Sequence, residues 1–204
     1  MKTIEYFFSP PSPWSYLGHD CLLEMAARHG MTVRPRPFAL ATEIFPISGG
    51  LPLNKRSPQR QAYRLVELKR WSEFRDVPLN IHPRFFPVPD VDPASLMICA
   101  VIGKNGDDAG LRLAAAQFRA LWVEERDIAD KRTLIEIAQQ CGLDGEELWQ
   151  TREEGRPLYE ENTEMARRLQ VFGAPWYVYD GEPFWGQDRL DFLERALARQ
   201  AAGQ

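Results

Sequence analysis

The pattern of hydrophobic and polar positions predicts strands near both ends of the chain and helices between them. Residues 3–8 (TIEYFF) form a β-branched and aromatic run that stops at a proline-rich break, which is typical of a strand. Residues 31–38 alternate apolar residues and prolines with arginines, which predicts a second strand near a sheet edge. Between them, apolar residues at positions 17, 21, 22, 25 and 26 share one face of a helix. We therefore expect a β-α-β unit with two parallel strands.

The first helix has clear signals at both ends. Ser12 precedes Pro13, and a capping hydroxyl followed by proline at the first helical position is typical of a helix start. Residues 28–30 (RHG) put basic residues in the last turn and a glycine after it. The helix is therefore predicted to begin directly after Ser12 and to end near residue 29.

The middle of the chain contains no convincing strand. Residues 47–58, rich in glycine and proline, predict an irregular loop, and Gly106, Gly142 and Gly155 are predicted helix stops. Amphipathic or apolar segments predict helices over residues 57–75, 93–103, 110–125, 131–141, 144–154 and 158–169.

The end of the chain changes character again. Residues 174–179 and 182–185 predict two strands joined by Asp180-Gly181, a strong hairpin signal, and residues 189–199 predict a helix. The order is thus βαβ, a helical block, then ββα. We predict an α/β domain formed by residues 1–56 and 171–204, interrupted by a helical insertion over residues 57–170.

Composition and charge argue against several functional classes. A net charge of −4 argues against a nucleic-acid surface, and the longest apolar run, residues 96–102, is too short to cross a membrane. The three cysteines are scattered, which excludes a disulfide scaffold or a CxxC zinc site and suits the cytoplasm. The three histidines (His19, His29 and His82) are too dispersed for a metal set, so no metal is expected.

Four short stretches, in this order, resemble one family. They are residues 12–17 (SPWSYL), 121–128 (with LW and RDI), 172–175 (FGAP) and 185–190 (WGQDRL). Together they are similar to the 2-hydroxychromene-2-carboxylate isomerase family and its relatives, the kappa-class glutathione transferases. The resemblance implies a thioredoxin-like α/β fold with a helical insertion, of the DsbA type, with Ser12 where an oxidoreductase of that type carries its CxxC motif.

The resemblance also implies roles in binding glutathione. Ser12, otherwise only a helix cap, would hold the glutathione thiolate, which a helix start and a hydroxyl both stabilise. Pro175, otherwise only the start of a strand, would be a cis-proline that exposes the backbone of Ala174 to this peptide-like ligand. Gln187 and Asp188, otherwise a cap of the last helix, would hold the γ-glutamyl end, with Asp188 on its ammonium.

Other candidates are basic or aromatic. Asn54, Lys55 and Arg60 lie in or after the glycine-rich loop; they are either simply solvated or contact a carboxylate of glutathione or of an anionic substrate. Aromatic residues are usually core, but Trp14, Phe172 and Trp185 would line the pocket of an isomerase for an aromatic acid. Core positions are predicted for Trp71, Trp122, Trp149 and Cys21.

The activity that the resemblance implies is glutathione-dependent isomerisation of 2-hydroxychromene-2-carboxylate to trans-o-hydroxybenzylidenepyruvate, or of a related aromatic-degradation intermediate. Thiolate addition, ring opening, bond rotation and thiol elimination would return glutathione unconsumed. Ser9 and Pro10 depart from the family pattern and leave two alternatives open, a kappa-like glutathione transferase and a non-catalytic glutathione- or peptide-binding module. The resemblance further implies a homodimer whose partners are glutathione and a small aromatic carboxylate.

Overall fold

Four strands form one mixed sheet in the computed structural model, which describes residues 2–202. Their order across the sheet is β2-β1-β3-β4, with bounds β1 Thr3–Phe8, β2 Thr32–Pro37, β3 Trp176–Tyr179 and β4 Glu182–Trp185. β1 is parallel to β2, as predicted, and antiparallel to β3. β2 lies at a sheet edge, which explains why it tolerates two prolines.

The helices follow the predicted segments with small shifts at their ends. Their bounds are α1 Pro13–Arg28, α2 Phe45–Ser48, α3 Pro58–Arg75, α4 Asp92–Asn105, α5 Asp107–Trp122, α6 Lys131–Gln140, α7 Gly145–Thr151, α8 Arg156–Arg168 and α9 Leu190–Ala202. Seven of them, α2 to α8, lie between β2 and β3 in the chain, and the structure has no strand over residues 57–170, as predicted.

Buried side chains pack against both faces of β1, an inner strand of the sheet. Tyr6 and Phe8 face one side of the sheet, where Phe8 meets Phe118 of α5 edge-on at 5.7 Å between ring centroids. Phe7 faces the other side and meets Phe38 edge-on at 5.9 Å. Each buried phenylalanine contributes about 1.5–3 kcal/mol of hydrophobic stabilisation. The end of β1, from which the chain leads into α1, is therefore held on both faces.

Two local expectations were wrong. The loop predicted over residues 47–58 contains the end of α2 and a 3-10 turn, Leu53–Lys55, with Gly49 ending α2 in the left-handed region at φ 75°. Gly155 does not stop a helix but lies in a 3-10 turn that leads into α8. A Cβ there would lie 2.3 Å from the carbonyl oxygen of Leu96, so the glycine permits close packing on α4.

The tryptophans of the helical segment are only partly core. Trp122 is fully buried, as predicted, but Trp71 and Trp149 are half-buried. The guanidinium groups of Arg75 and Arg152 lie over these two rings, at 5.4 and 4.1 Å from their centroids, and so cover one face of each.

No helix within residues 2–202 has the length and apolar character needed to cross a membrane.

Candidate functional site

Ser12 caps the first helix, as predicted. Its backbone N–H donates to the carbonyl oxygen of Ser9 at 2.9 Å, which closes the turn between β1 and α1. Its Oγ accepts from the backbone N–H of Ser15 at 3.1 Å, and Pro13 occupies the first helical position. The half-buried hydroxyl is thus fixed at the positive end of a 16-residue helix, where an anion is stabilised.

The segment before β3 faces this helix start. The Ser12 Oγ donates to the carbonyl oxygen of Ala174 at 3.5 Å, a long hydrogen bond, and the Ala174–Pro175 peptide is cis, as predicted. Among the described residues, the backbone N–H of Ala174 has no hydrogen-bond acceptor. The carbonyl oxygen of Pro175 accepts from the backbone N–H of Gly186 at 2.9 Å. This contact links the Ala174 segment to the turn that precedes the last helix.

Gly186 shapes that turn. Its φ of 98° is one that side chains rarely adopt, and a Cβ there would lie 2.4 Å from Asp188 Oδ1. The Asp188 carboxylate therefore folds over the backbone of Gly186. Its Oδ2 also accepts from Arg189 at 2.6 Å, and the carboxylate is still about one-third exposed. A ligand ammonium at Asp188 would meet an anion that already has one cationic neighbour.

Gln187 is held more tightly than its sequence context indicates. It is only 2% exposed, and Arg75 at the end of α3 donates to its side-chain Oε1 at 2.5 Å and to its backbone carbonyl at 2.6 Å. The side chain of Gln187 is therefore engaged within the protein, which leaves its backbone as the part available to a ligand. Sequence reasoning missed Arg75, because 112 positions separate it from Gln187 and no local pattern marks the contact.

Gly18 lets α1 approach the same turn. A Cβ at Gly18 would lie 2.7 Å from Gln187 Cβ and 3.0 Å from the Tyr177 hydroxyl. The helix that carries Ser12 and the turn that carries Asp188 are therefore in direct contact through a position without a side chain. This packing fixes the two candidate binding elements relative to each other.

Three aromatic residues form a partly exposed cluster beside Pro175. Phe172 meets Trp176 at 4.8 Å and Trp185 at 4.7 Å between ring centroids, both near edge-on. Trp176 is buried, whereas Phe172 is 40% and Trp185 52% exposed. Trp14, in the first turn of α1, is half-buried and makes no ring contact with this cluster among the described residues. The structure thus brings Phe172 and Trp185 together but leaves Trp14 apart from them.

The basic candidates lie on another part of the chain. Asn54 and Lys55 are in the 3-10 turn and Arg60 is in the first turn of α3; all three are exposed. None of their side chains has a hydrogen bond to Ser12, Ala174 or Asp188 among the described residues. Their predicted role in binding a carboxylate stays a prediction.

The cysteines of the protein are poorly placed to supply a reactive thiolate. The three cysteines are free, and burial raises the pKa of the Cys99 and Cys141 thiols above its usual value. A raised pKa disfavours the thiolate, which is the reactive form. Position 12, at the helix start, holds a hydroxyl.

Two features define the class of DsbA-like thioredoxin proteins. A helix-capping residue faces the segment before an antiparallel strand, and helices are inserted between β2 and β3. The family model described as a DSBA-like thioredoxin domain matches residues 3–198, which confirms the predicted fold class. The chain belongs to this family and, within it, to the 2-hydroxychromene-2-carboxylate isomerase family, to which the kappa-class glutathione transferases are related.

Two sequence relatives and one solved structure support that assignment. The chain is 30% identical over 198 residues to the 2-hydroxychromene-2-carboxylate isomerase of Sphingobium xenophagum, covering 96% of this chain and 98% of the relative. It is 25% identical to glutathione S-transferase kappa 1 of Caenorhabditis elegans, covering 97% and 91%. A solved 2-hydroxychromene-2-carboxylate isomerase superposes with a TM-score of 0.81 at 26% identity, covering 98% and 96%. These relatives are isomerases and glutathione transferases, which supports enzyme activity for this chain.

Proposed function

We propose that the protein is a cytoplasmic glutathione-dependent isomerase. It would interconvert 2-hydroxychromene-2-carboxylate and trans-o-hydroxybenzylidenepyruvate, or a related intermediate of aromatic-compound degradation. The observation that carries this proposal is the Ser12 hydroxyl, which caps α1 3.5 Å from the Ala174 carbonyl oxygen where a redox relative has a cysteine. With no cysteine at that helix start, the reactive sulfur has to come from a ligand.

The residues around Ser12 fit glutathione. Ala174 is half-buried and has a backbone N–H without an acceptor among the described residues, which an extended peptide-like ligand can pair with. The turn at residues 186–189 offers a partly exposed carboxylate at Asp188 next to the backbone of a helix start. A free amino-acid end, with one positive and one negative group, matches that pair of charges.

Each residue would then have a distinct task. Ser12 would donate its hydroxyl hydrogen to the ligand sulfur and, with the positive end of α1, favour the thiolate over the thiol. Ala174 would orient the peptide backbone of the ligand, and Asp188 would bind its ammonium. Phe172 and Trp185 would offer apolar ring faces to an aromatic substrate.

Bound glutathione would supply a nucleophilic sulfur that can add to an electrophilic carbon and then leave, which is the chemistry that a cis–trans isomerisation with an unconsumed cofactor needs. The task of the protein is to hold the sulfur ionised and the substrate oriented. The exposed carboxylate of Asp188 lies with the cofactor elements, so we assign it no proton-transfer role.

A kappa-like glutathione transferase is the second candidate. It is favoured by the 25% identity to a kappa-class transferase over almost the whole chain. The same site would serve both activities, since conjugation uses the thiolate without the elimination that returns glutathione.

We also propose a homodimer, as the family resemblance implies.

The test follows the ultraviolet spectrum of a chromene carboxylate with and without glutathione. We expect isomerisation that needs glutathione, with glutathione recovered in full, and a loss of at least about 100-fold in kcat/KM in Ser12→Ala. Ser12→Thr keeps both a cap and a hydroxyl and is the matched control. Consumption of glutathione would favour the transferase, and glutathione binding with no spectral change would favour a non-catalytic binding module.

A further inference from the structure

Three arginines spaced four residues apart form a positive cluster at the start of α3. Arg56 lies two residues before the helix, Arg60 lies in its first turn, and Arg64 follows one turn later. Arg60 is exposed, Arg56 is half-buried, and Arg64 is only 9% exposed. We call these three residues the arginine cluster. Its buried member, Arg64, is the feature that needs an explanation.

Arg64 has no acidic partner. Among the described residues, no carboxylate lies within ion-pair distance of any arginine in the cluster, although neighbouring Arg70 pairs with Glu67 at 2.9 Å. The Nη2 of Arg64 is enclosed and has no hydrogen-bond acceptor within residues 2–202. Buried guanidinium groups are normally paired, since an unpaired buried charge costs several kcal/mol.

Aromatic rings surround the guanidinium group. Its central carbon lies 5.0 Å from the ring centroid of Phe86 and 5.9 Å from that of Trp122, and these two rings are 4.9 Å apart. Cation–π contacts of this kind offset only part of the cost of burying an unpaired charge. Burial, and next the positive charge of Arg56, lower the pKa of Arg64 to about 10, so it is still charged at neutral pH.

We propose that the arginine cluster binds the carboxylate of an aromatic acid, with Arg64 as the main ligand for the carboxylate. Naming that acid as the substrate rests on the proposed function. A planar guanidinium group with free N–H donors matches a carboxylate in geometry and charge. The half-buried ring of Phe86 offers an apolar face to the flat part of the same molecule, and the buried ring of Trp122 packs behind it. Arg56 and Arg60 add positive charge around the site.

Packing connects this cluster to the helix that carries Ser12. Trp122 lies one turn after Phe118 on α5, and Phe118 contacts Tyr16, at 6.4 Å between ring centroids. Tyr16 lies one turn after Ser12, and its backbone N–H donates to the Ser12 carbonyl at 3.1 Å. Its hydroxyl donates to Pro78 at 2.7 Å, in the segment that leads from α3 to Phe86. The arginine cluster and the start of α1 are therefore joined through one layer of aromatic side chains.

The experiment measures binding of 2-naphthoate by titration calorimetry, with uncharged 2-naphthamide and with glutathione as separate ligands. Neither naphthyl compound can isomerise, so the measurement does not depend on turnover. The variants are Arg64→Met, which keeps the apolar stem, and Arg64→Lys, which keeps the charge and serves if the first variant fails to fold. Arg70→Met, on an exposed arginine of the same helix, is the matched control.

We expect Arg64→Met to weaken 2-naphthoate binding by about 10- to 100-fold, as for the loss of a hydrogen-bonded charge pair. Arg64→Lys should lie between the wild type and Arg64→Met, because lysine keeps the charge but not the fork of donors. Binding of 2-naphthamide should not change in either variant, and Arg70→Met should bind both compounds as the wild type does.

Three results would overturn the inference: 2-naphthoate binding that Arg64→Met leaves unchanged, an equal loss for 2-naphthamide, or a loss confined to glutathione. The last would assign the carboxylate to the cofactor. Failure of the proposed function is separable, because a wild type that binds 2-naphthoate through Arg64 but does not isomerise a chromene carboxylate would refute only the isomerase. Isomerisation with an unchanged KM in Arg64→Met would refute only the role of Arg64.

Discussion

The contact between α1 and the turn at residues 186–189 depends on the absence of a side chain at Gly18. In Gly18→Ala, the new methyl group would meet Gln187 Cβ at 2.7 Å, closer than two carbon atoms can approach. Overpacking of this kind costs about 1–3 kcal/mol, whereas alanine in place of a helical glycine returns about 1 kcal/mol. We therefore expect the variant to be up to about 2 kcal/mol less stable than the wild type.

Gly103→Ala is the matched control. Gly103 also lies inside a helix, α4, but a Cβ there meets nothing within 4 Å. It should gain about 0.5–1 kcal/mol in the free energy of unfolding. The two variants should thus differ by about 1–3 kcal/mol in urea denaturation, although the chemical change is the same.

The same substitution also tests the site. Because Gly18 touches the turn that carries Asp188, we expect Gly18→Ala to raise the glutathione Kd about fivefold, the equivalent of about 1 kcal/mol. Gly103→Ala should leave that Kd unchanged. If both variants are equally stable and bind glutathione equally well, the close approach of α1 to the turn is not a determinant of either property.

Two further predictions concern Arg75 and His19. Arg75→Met removes both hydrogen bonds to Gln187 and should cost about 1–3 kcal/mol in urea denaturation and weaken glutathione binding, whereas exposed Arg70→Met should do neither; equal behaviour would refute the positioning role. Burial lowers the pKa of His19 from 6.5 to about 4, so the unfolded chain binds a proton that the folded chain does not between these values. Stability should therefore fall as the pH falls through this interval, by up to about 3 kcal/mol from this group alone. In His19→Gln the decline in the unfolding free energy should be shallower, and in exposed His82→Gln it should match the wild type; parallel curves for His19→Gln and the wild type would contradict the assignment.

Local signals made much of the fold predictable. The bounds of β1 and the cap of α1 follow from short-range chemistry, a β-branched run before prolines and a hydroxyl before Pro13. The hairpin between β3 and β4 follows from Asp180-Gly181, since both residues adopt the positive φ that this turn requires, 51° and 79°. The parallel pairing of β1 and β2 follows from the crossover helix between them.

Contacts between distant residues were not predictable from the chain. Nothing near Arg75 in sequence indicates that Gln187 is its partner, and nothing near Gly18 indicates which turn it approaches. Arg64 has the helical spacing and charge of a solvated surface residue, yet it is buried beside Phe86 and Trp122. In each case the tertiary packing of separate helices decides the environment of the side chain.

Ionisation of glutathione bound at Ser12 tests the central claim most directly. The ultraviolet absorbance of the thiolate, followed as a function of pH in the complex, gives the pKa of the bound thiol. We expect a value at least about one unit below that of the free thiol, near 8.5, in the wild type and in Ser12→Thr. In Ser12→Ala the value should return most of the way toward that of the free thiol. A bound thiol with the same pKa in the wild type and in Ser12→Ala would contradict the account.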